Sequence, residues 1–251
     1  AGILAFAYIC LKAKHLIPKK DEYAVTKEDR SDLIQSALAM GFMSCIVNIG
    51  TVILQRAINN LGTDIVTAHT AARKIFDILM FMLYIVGNAV TTFVSQNMGA
   101  GKYDRVHQGV RDAIIINTII TTVMIVCGWL FSPALIRLVA GTSDPAIIEP
   151  AVRYVRIGVT CFYVLGPLFV LRCAMQGMGR KIVPVMSSSM EFVGKVLAVM
   201  ILTPRLGYMG VTITEPIIWF CCTLMLSIMY LSTPVEKLVA KRQEAGGKAS
   251  C

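Results

Sequence analysis

Charge is scarce in this chain. Of its 251 residues, 16% are Asp, Glu, Lys or Arg, against roughly 25% in an average soluble domain. Histidine is scarcer still, with three residues at positions 15, 69 and 107. No catalytic dyad follows from those positions, and no His-based metal set. Eight cysteines are present, yet none forms a CxxC pair and most lie inside apolar runs, which disfavours zinc and disulfide frameworks alike. They read as small hydrophobes. The start, Ala1 to Leu11, has no initiator Met, no basic n-region and no small-residue cleavage site, which argues against a signal peptide. No resident cofactor, metal or catalytic residue is expected, and the chain reads as a non-enzyme.

What the chain has in abundance is apolar length. Hydrophobic residues make up 56% of it, arranged in runs of about 18 or more, each long enough to cross a bilayer as a helix. The spans fall at about Leu33 to Asn59, Ile65 to Gln96, Ala113 to Leu138, Tyr154 to Met175, Pro184 to Leu202 and Val211 to Leu231. Ser31 and Asp32 cap the first, and Asp144 with Pro145 builds a helix start ahead of the fourth. The second is long enough to tilt or to extend beyond the lipid. Ala1 to Leu11 is too short to span and reads as the end of a helix whose beginning is missing, hence a piece of a longer protein. The expected organisation is residues 1–11 as that helix end, 12–32 as a cytoplasmic loop, 33–232 as a six-helix bundle and 233–251 as a cytoplasmic tail.

The formal charge of +9 does not point to nucleic acid, because the basic residues lie in short clusters between apolar runs. Their distribution orients the chain instead. The loops at 12–32, 97–112 and 177–184 and the tail after 232 hold 15 Lys and Arg, while the turns at 60–64, 139–144 and 203–210 hold only Arg205. The two sets alternate. The basic side, with the C-terminus, is expected to face the cytoplasm of a cell (inner) membrane.

Ionisable groups within spans are costly and are functional candidates by default. Glu191 and Lys195 are spaced i, i+4 in the fifth span and suit an ion pair, which Arg172 in the fourth is placed to join. Asp77 in the second span is a candidate for binding H⁺ or Na⁺, or for pairing with Arg73 or Lys74. Glu215 precedes Pro216, which frees a backbone carbonyl for a cation or substrate; a helix-start carboxylate favoured by the dipole explains it equally well. Asn48 and Gln55, seven apart on the first span, share a face and suit hydrogen bonds between helices.

One turn is the most informative stretch: Ser95-Gln96-Asn97-Met98-Gly99-Ala100-Gly101-Lys102-Tyr103-Asp104-Arg105. Gly99 and Gly101 are expected to supply positive φ, turning the chain from a spanning helix into a short helix over Lys102 to Arg111 lying along the interface. The string resembles the QN-x-GAGK-x-x-R segment of MATE (multidrug and toxic compound extrusion) transporters, with Gln96, Asn97, Gly99, Gly101 and Arg105 at its motif positions. Three further stretches are similar to the same family in the same order. These are Ala68-His69-Thr70-Ala71-Ala72-Arg73, then Gln176-Gly177-Met178-Gly179-Arg180-Lys181 with Pro184, then Leu206-Gly207-Tyr208-Met209-Gly210-Val211 with Trp219.

That resemblance covers essentially the whole chain and implies the C-terminal lobe of a two-lobe, twelve-helix fold of the MOP flippase superfamily. Its partners would be the lipid bilayer, a small-molecule substrate and a missing N-terminal six-helix lobe. The implied function is a secondary active antiporter that exports organic cations or other amphipathic compounds in exchange for H⁺ or Na⁺. A lipid-linked oligosaccharide flippase of the same superfamily is the alternative, to which cationic Lys195 and Arg172 are relevant. An intramembrane enzyme lacks a convergent polar group, and a channel lacks a filter-like repeat. Many members carry an acidic residue on the helices matching the first and fourth spans. Here neither Leu33–Asn59 nor Arg153–Gln176 contains Asp or Glu, which puts that kind of cation site in doubt.

Overall fold

The computed structural model describes Tyr8, Leu11, Lys12 and residues 27–234. The expected helix end at 1–11, most of the loop at 12–32 and nearly all of the tail at 233–251 lie outside the described residues. Residues 1–40 and 41–251 form two separate compact units, and the sites below lie in the second.

Among the described residues every regular element is helical: α1 (Lys27–Asn59), α2 (Thr63–Gly99), α3 (Tyr103–Ala140), α4 (Pro145–Thr160), α5 (Phe162–Gly177), α6 (Ile182–Leu206) and α7 (Tyr208–Leu231). Five of these are long and apolar enough to cross a membrane, and α4 with α5 makes a sixth, bent span. With no strand among the described residues, each helix satisfies its own backbone polar groups, which is what lipid demands. Large apolar side chains such as Leu130, Leu138, Met200, Phe220 and Ile228 stand exposed on the outside, where hydrocarbon rather than water is their natural solvent. The chain is a multi-pass membrane helical bundle.

α2 is the hub. It packs against α3, α4 and α5, while α7 packs on α5 and α6. Its 37 residues give a rod of about 55 Å at about 1.5 Å per residue, longer than the roughly 30 Å hydrocarbon core. Where α2 meets α5 the backbones come close: a Cβ on Gly177 would lie 2.8 Å from the Thr91 carbonyl oxygen. The Thr91 hydroxyl donates across the same contact to the Cys173 carbonyl at 3.2 Å. Phe76, Phe162, Leu165 and Leu83 fill the centre, each almost fully buried.

Ser31 and Asp32 lie inside α1, which begins at Lys27, and do not cap it; three further expectations need correction. Lys102 to Arg111 is not a separate interfacial helix, because α3 runs unbroken from Tyr103 through the third span. Val106, Val110 and Ala113 are buried and continue that span's apolar stripe at helical spacing, so nothing interrupts it. Gly99 is helical, and Gly101 alone in this turn has positive φ, at 72°. One left-handed residue suffices because the chain reverses between two long packed helices.

The third correction concerns the span at Tyr154 to Met175, which is bent by 53° between α4 and α5. Asp144 does cap the start, accepting from the Ala146 N–H at 2.9 Å. At the break, the Cys161 N–H is shared between the Ile157 and Gly158 carbonyls, at 3.3 and 3.0 Å. Six residues on, Pro167 removes the N–H that would have bonded the Tyr163 carbonyl. On the same helix Asn117 of α3 donates to the Gly166 carbonyl at 3.1 Å.

Candidate functional site

Two buried polar clusters lie within the bundle. The first joins α2, α4 and α7, near the ends of those helices that begin at Thr63, Pro145 and Tyr208. Arg73 sits about 15 Å into α2 at about 1.5 Å per residue, and its side chain is the bridge. Its Nη1 donates to both carboxylate oxygens of Glu215, at 2.9 and 3.1 Å. Its Nε meets the Asp77 carboxylate one turn on, at 2.8 Å. The Tyr154 hydroxyl donates to Glu215 at 3.2 Å and lies 3.5 Å from Arg73 Nη1.

Aromatic rings wall this cluster. His69 contacts the Tyr208 hydroxyl through Nδ1 at 3.2 Å and meets the Tyr154 ring edge-on at 5.0 Å between centroids. Below, the Arg73 guanidinium lies over Phe76, which stacks on Trp219 and meets Phe162 edge-on. Such walls lower the dielectric around the buried Glu215 and strengthen its interaction with Arg73. Glu215 is buried, with a side chain 9% exposed, whereas that of Asp77 is 57% exposed. The arrangement holds one inner and one outer carboxylate on a single guanidinium.

The second cluster joins α1, α5 and α6. Glu191 is held through both oxygens, by Lys195 Nζ at 3.0 Å and by Arg172 Nη2 at 3.5 Å. Arg172 also donates to the Ser187 hydroxyl at 2.7 Å, and Lys195 to the Thr51 hydroxyl of α1 at 3.2 Å. The i, i+4 spacing that suited a Glu191–Lys195 pair is realised, and Arg172 joins it across the bundle.

Other candidates are placed differently from their sequence reading. Asn48 and Gln55 do not tie helices together: Asn48 donates to the Ser44 carbonyl at 2.8 Å and Gln55 to Asn59 at 2.9 Å, all on α1. The amides find partners one turn away, which leaves no drive toward another helix. Glu215 is seven residues inside α7, past its first turn, so the dipole of a helix start does not account for it. Asp77 pairs with Arg73, one of the two basic partners expected for it. In the turn motif, Asn97 is buried with its side-chain amide on the Phe93 carbonyl at 2.8 Å, and its own carbonyl accepts from the Lys102 N–H at 2.9 Å. Gln96 and Arg105 are exposed.

Sequence reasoning gave Arg73 only a supporting part and assigned none to His69, Tyr154, Tyr208, Thr51 or Ser187. An arginine inside an apolar run was the available signal, since it requires an acid nearby. Which acid it meets depends on helix packing.

A helical membrane bundle whose buried charges are grouped between helices has the architecture of a transporter lobe. Residues 39–201 match the family model described as MatE, and the chain belongs to that family. A Bacillus subtilis (strain 168) protein described as probable multidrug resistance protein YoeA is 23% identical over 143 residues, covering 57% of this chain and 30% of that protein. Among solved structures, a MATE in complex with MaL6 superposes with a TM-score of 0.82 at 16% identity, over 94% of this chain and 54% of that one. A MATE in the bent conformation gives 0.78 at 16% identity, over 98% and 53%. A MOP superfamily transporter from Pyrococcus furiosus Vc1 (DSM3638) gives 0.72 at 13% identity, over 80% and 44%. The matches cover about half the length of these structures and under a third of the Bacillus protein.

Proposed function

We propose that this chain forms one lobe of a secondary active antiporter, which exports organic cations or other amphipathic compounds in exchange for H⁺ or Na⁺ by alternating access. Membership of the MatE family over residues 39–201 is the observation that carries this reading. A second lobe of the same protein completes the substrate cavity, as in transporters built from repeats with the site at their interface. The basic loops face the cytoplasm, and the membrane is the cell membrane.

Coupling centres on Arg73. Asp77, the exposed carboxylate, is the entry point for the coupling cation; Glu215, the buried one, is the reserve partner of the guanidinium. A cation arriving at Asp77 competes with Arg73 Nε and shifts that side chain fully onto Glu215, so ion occupancy is reported to α7. The driving energy is about 2.3 kcal/mol per elementary charge per 100 mV. No bond is made or broken.

The experiment is efflux of a fluorescent organic cation from everted vesicles carrying the full-length protein, with H⁺ and Na⁺ gradients collapsed separately. Loss of movement with one gradient identifies the coupling ion. Movement indifferent to both gradients rejects antiport.

A further inference from the structure

Taken together, the two clusters are neutral. Asp77 and Glu215 share Arg73, Glu191 is shared by Arg172 and Lys195, and Lys195 also acts electrostatically on Glu215, so three acids meet three bases. Arg156 stands outside this balance. Measured from Pro145 at the start of α4, it lies about 16 Å along the helix at about 1.5 Å per residue, and Trp129 lies equally far from the Ala140 end of α3. That depth is half of a hydrocarbon core roughly 30 Å thick. The Arg156 Nη2 donates to the Trp129 carbonyl at 3.0 Å, and the guanidinium lies over the Trp129 ring, 5.0 Å from its centroid. Among the described residues no carboxylate forms an ion pair with it. Lys74, at a similar depth on α2, is exposed on a flexible stem that can carry its ammonium toward the interface. Arg156 is tied at mid-depth by Trp129.

The surface beside Arg156 is polar as well. Trp129 Nε1 donates to the Thr160 hydroxyl at 3.1 Å, and that hydroxyl donates to the Arg156 carbonyl at 2.8 Å. Thr122 and Tyr163 join hydroxyls at 3.0 Å. All four of these neighbours are exposed, with Trp129 at 49% and Tyr163 at 46%. On α7, by contrast, the large exposed residues at this depth are Ile217, Phe220 and Leu224. Lipid tails satisfy those side chains and cannot satisfy a guanidinium, which within a membrane faces protein or a water-filled cavity.

We infer that the Arg156 face is covered by the second lobe of the same protein, which brings an Asp or Glu against the guanidinium and forms an ion pair between the lobes. A phospholipid headgroup is about 15 Å away from this depth, half the thickness of the core, so a carboxylate needs a protein backbone to hold it there. The acids within the spans of this chain are already engaged by Arg73, Arg172 and Lys195, which leaves the other lobe to supply it. The contact falls where α4 meets α5, beside the 53° bend. This rests on the two-lobe reading above.

The test uses full-length protein with a protease site in the loop at 12–32, between the lobes. Dicyclohexylcarbodiimide activates carboxylates inside the membrane, and a lysine in contact with one then forms an amide, which arginine does not. After cleavage, the two halves of Arg156→Lys are expected to stay joined in denaturing electrophoresis, with the bond mapped by mass spectrometry to an Asp or Glu of the second lobe. Wild type and Arg156→Gln are expected to lack that product. A second measurement needs no variant of Arg156: Trp129 as the sole tryptophan is expected to be quenched far less by brominated phosphatidylcholine than Phe220→Trp as the sole tryptophan. Thermal melts confirm that each variant is folded. Equal quenching of the two overturns the inference, because lipid then covers the face. Shielding of Trp129 without a cross-link in folded Arg156→Lys also overturns it and puts Arg156 on an aqueous cavity, as does a bond mapped to a carboxylate of this lobe. Both measurements are made without a gradient. A cross-link without gradient-driven efflux keeps the lobe contact and removes the antiporter, whereas efflux without a cross-link removes the contact alone.

Discussion

Arg73 and Glu215 are 142 positions apart in the chain and 2.9 Å apart in the fold, joined through both carboxylate oxygens. The pair fastens α7 to the hub helix α2, and Tyr154 extends it to α4. Removing one member of a buried pair leaves the other charge uncompensated, which typically costs about 3–5 kcal/mol. Arg73→Met and Glu215→Gln are each expected to lower the melting temperature of the full-length protein sharply. The double variant is expected to fall short of the summed losses by about 1 kcal/mol or more. Additive losses in denaturant melts would show that the two side chains act independently.

Asp77 is bonded to the same arginine at 2.8 Å, yet its side chain is 57% exposed. Exposed i, i+4 pairs contribute little, about 0.3–0.5 kcal/mol. Asp77→Asn is therefore expected to leave stability within about 1 kcal/mol of the wild type while abolishing gradient-driven efflux. A melt as damaged as that of Glu215→Gln, or normal coupling, would contradict the assignment of the outer carboxylate as cation entry.

Two glycines of the interhelical turns separate by what surrounds them. A Cβ at Gly177 would come within 2.8 Å of the Thr91 carbonyl oxygen, whereas at Gly99 it would meet nothing within 4 Å. Gly177→Val is expected to reduce the yield of folded protein by forcing α2 and α5 apart. Gly99→Ala is expected to be neutral or stabilising by up to about 1 kcal/mol, because Gly99 is helical and alanine restricts the unfolded chain. Size-exclusion profiles and melts of the two variants decide this.

Orientation is checked with a membrane-impermeant maleimide in a background where the native cysteines are replaced. Asn60→Cys, in a turn without Lys or Arg, is expected to label from outside intact cells. Lys102→Cys, in the basic turn between α2 and α3, is expected to label only after permeabilisation. The reverse pattern would invert the membrane sidedness proposed above.

Much of the bundle was legible in the sequence because spanning helices are specified locally. Apolar runs of the right length, the Asp144 cap with Pro145, and Gly101 after α2 each act within a turn or two of themselves. The expected interfacial helix at Lys102 to Arg111 failed for an equally local reason: a polar stretch is compatible with either a surface helix or the projecting end of a long one. Val106 and Val110 in the core stripe decide for the second. The bend at Cys161 carried no breaker at its own position, and Pro167 six residues later was read only as part of an apolar run.

The sequence alone determined that the chain crosses a membrane repeatedly and that Glu191 and Lys195 face one another, since i, i+4 spacing on one helix brings them together without help from any other element. Only the tertiary structure decided that Arg73 takes Glu215 as well as Asp77, that His69, Tyr154 and Tyr208 wall that cluster, and that Arg172 reaches Glu191 and Ser187 from α5. Those contacts join α2 to α4 and α7, and α5 to α6, so they depend on how helices cross and rotate. That is settled by close packing between residues far apart in the chain, which local spacing does not record.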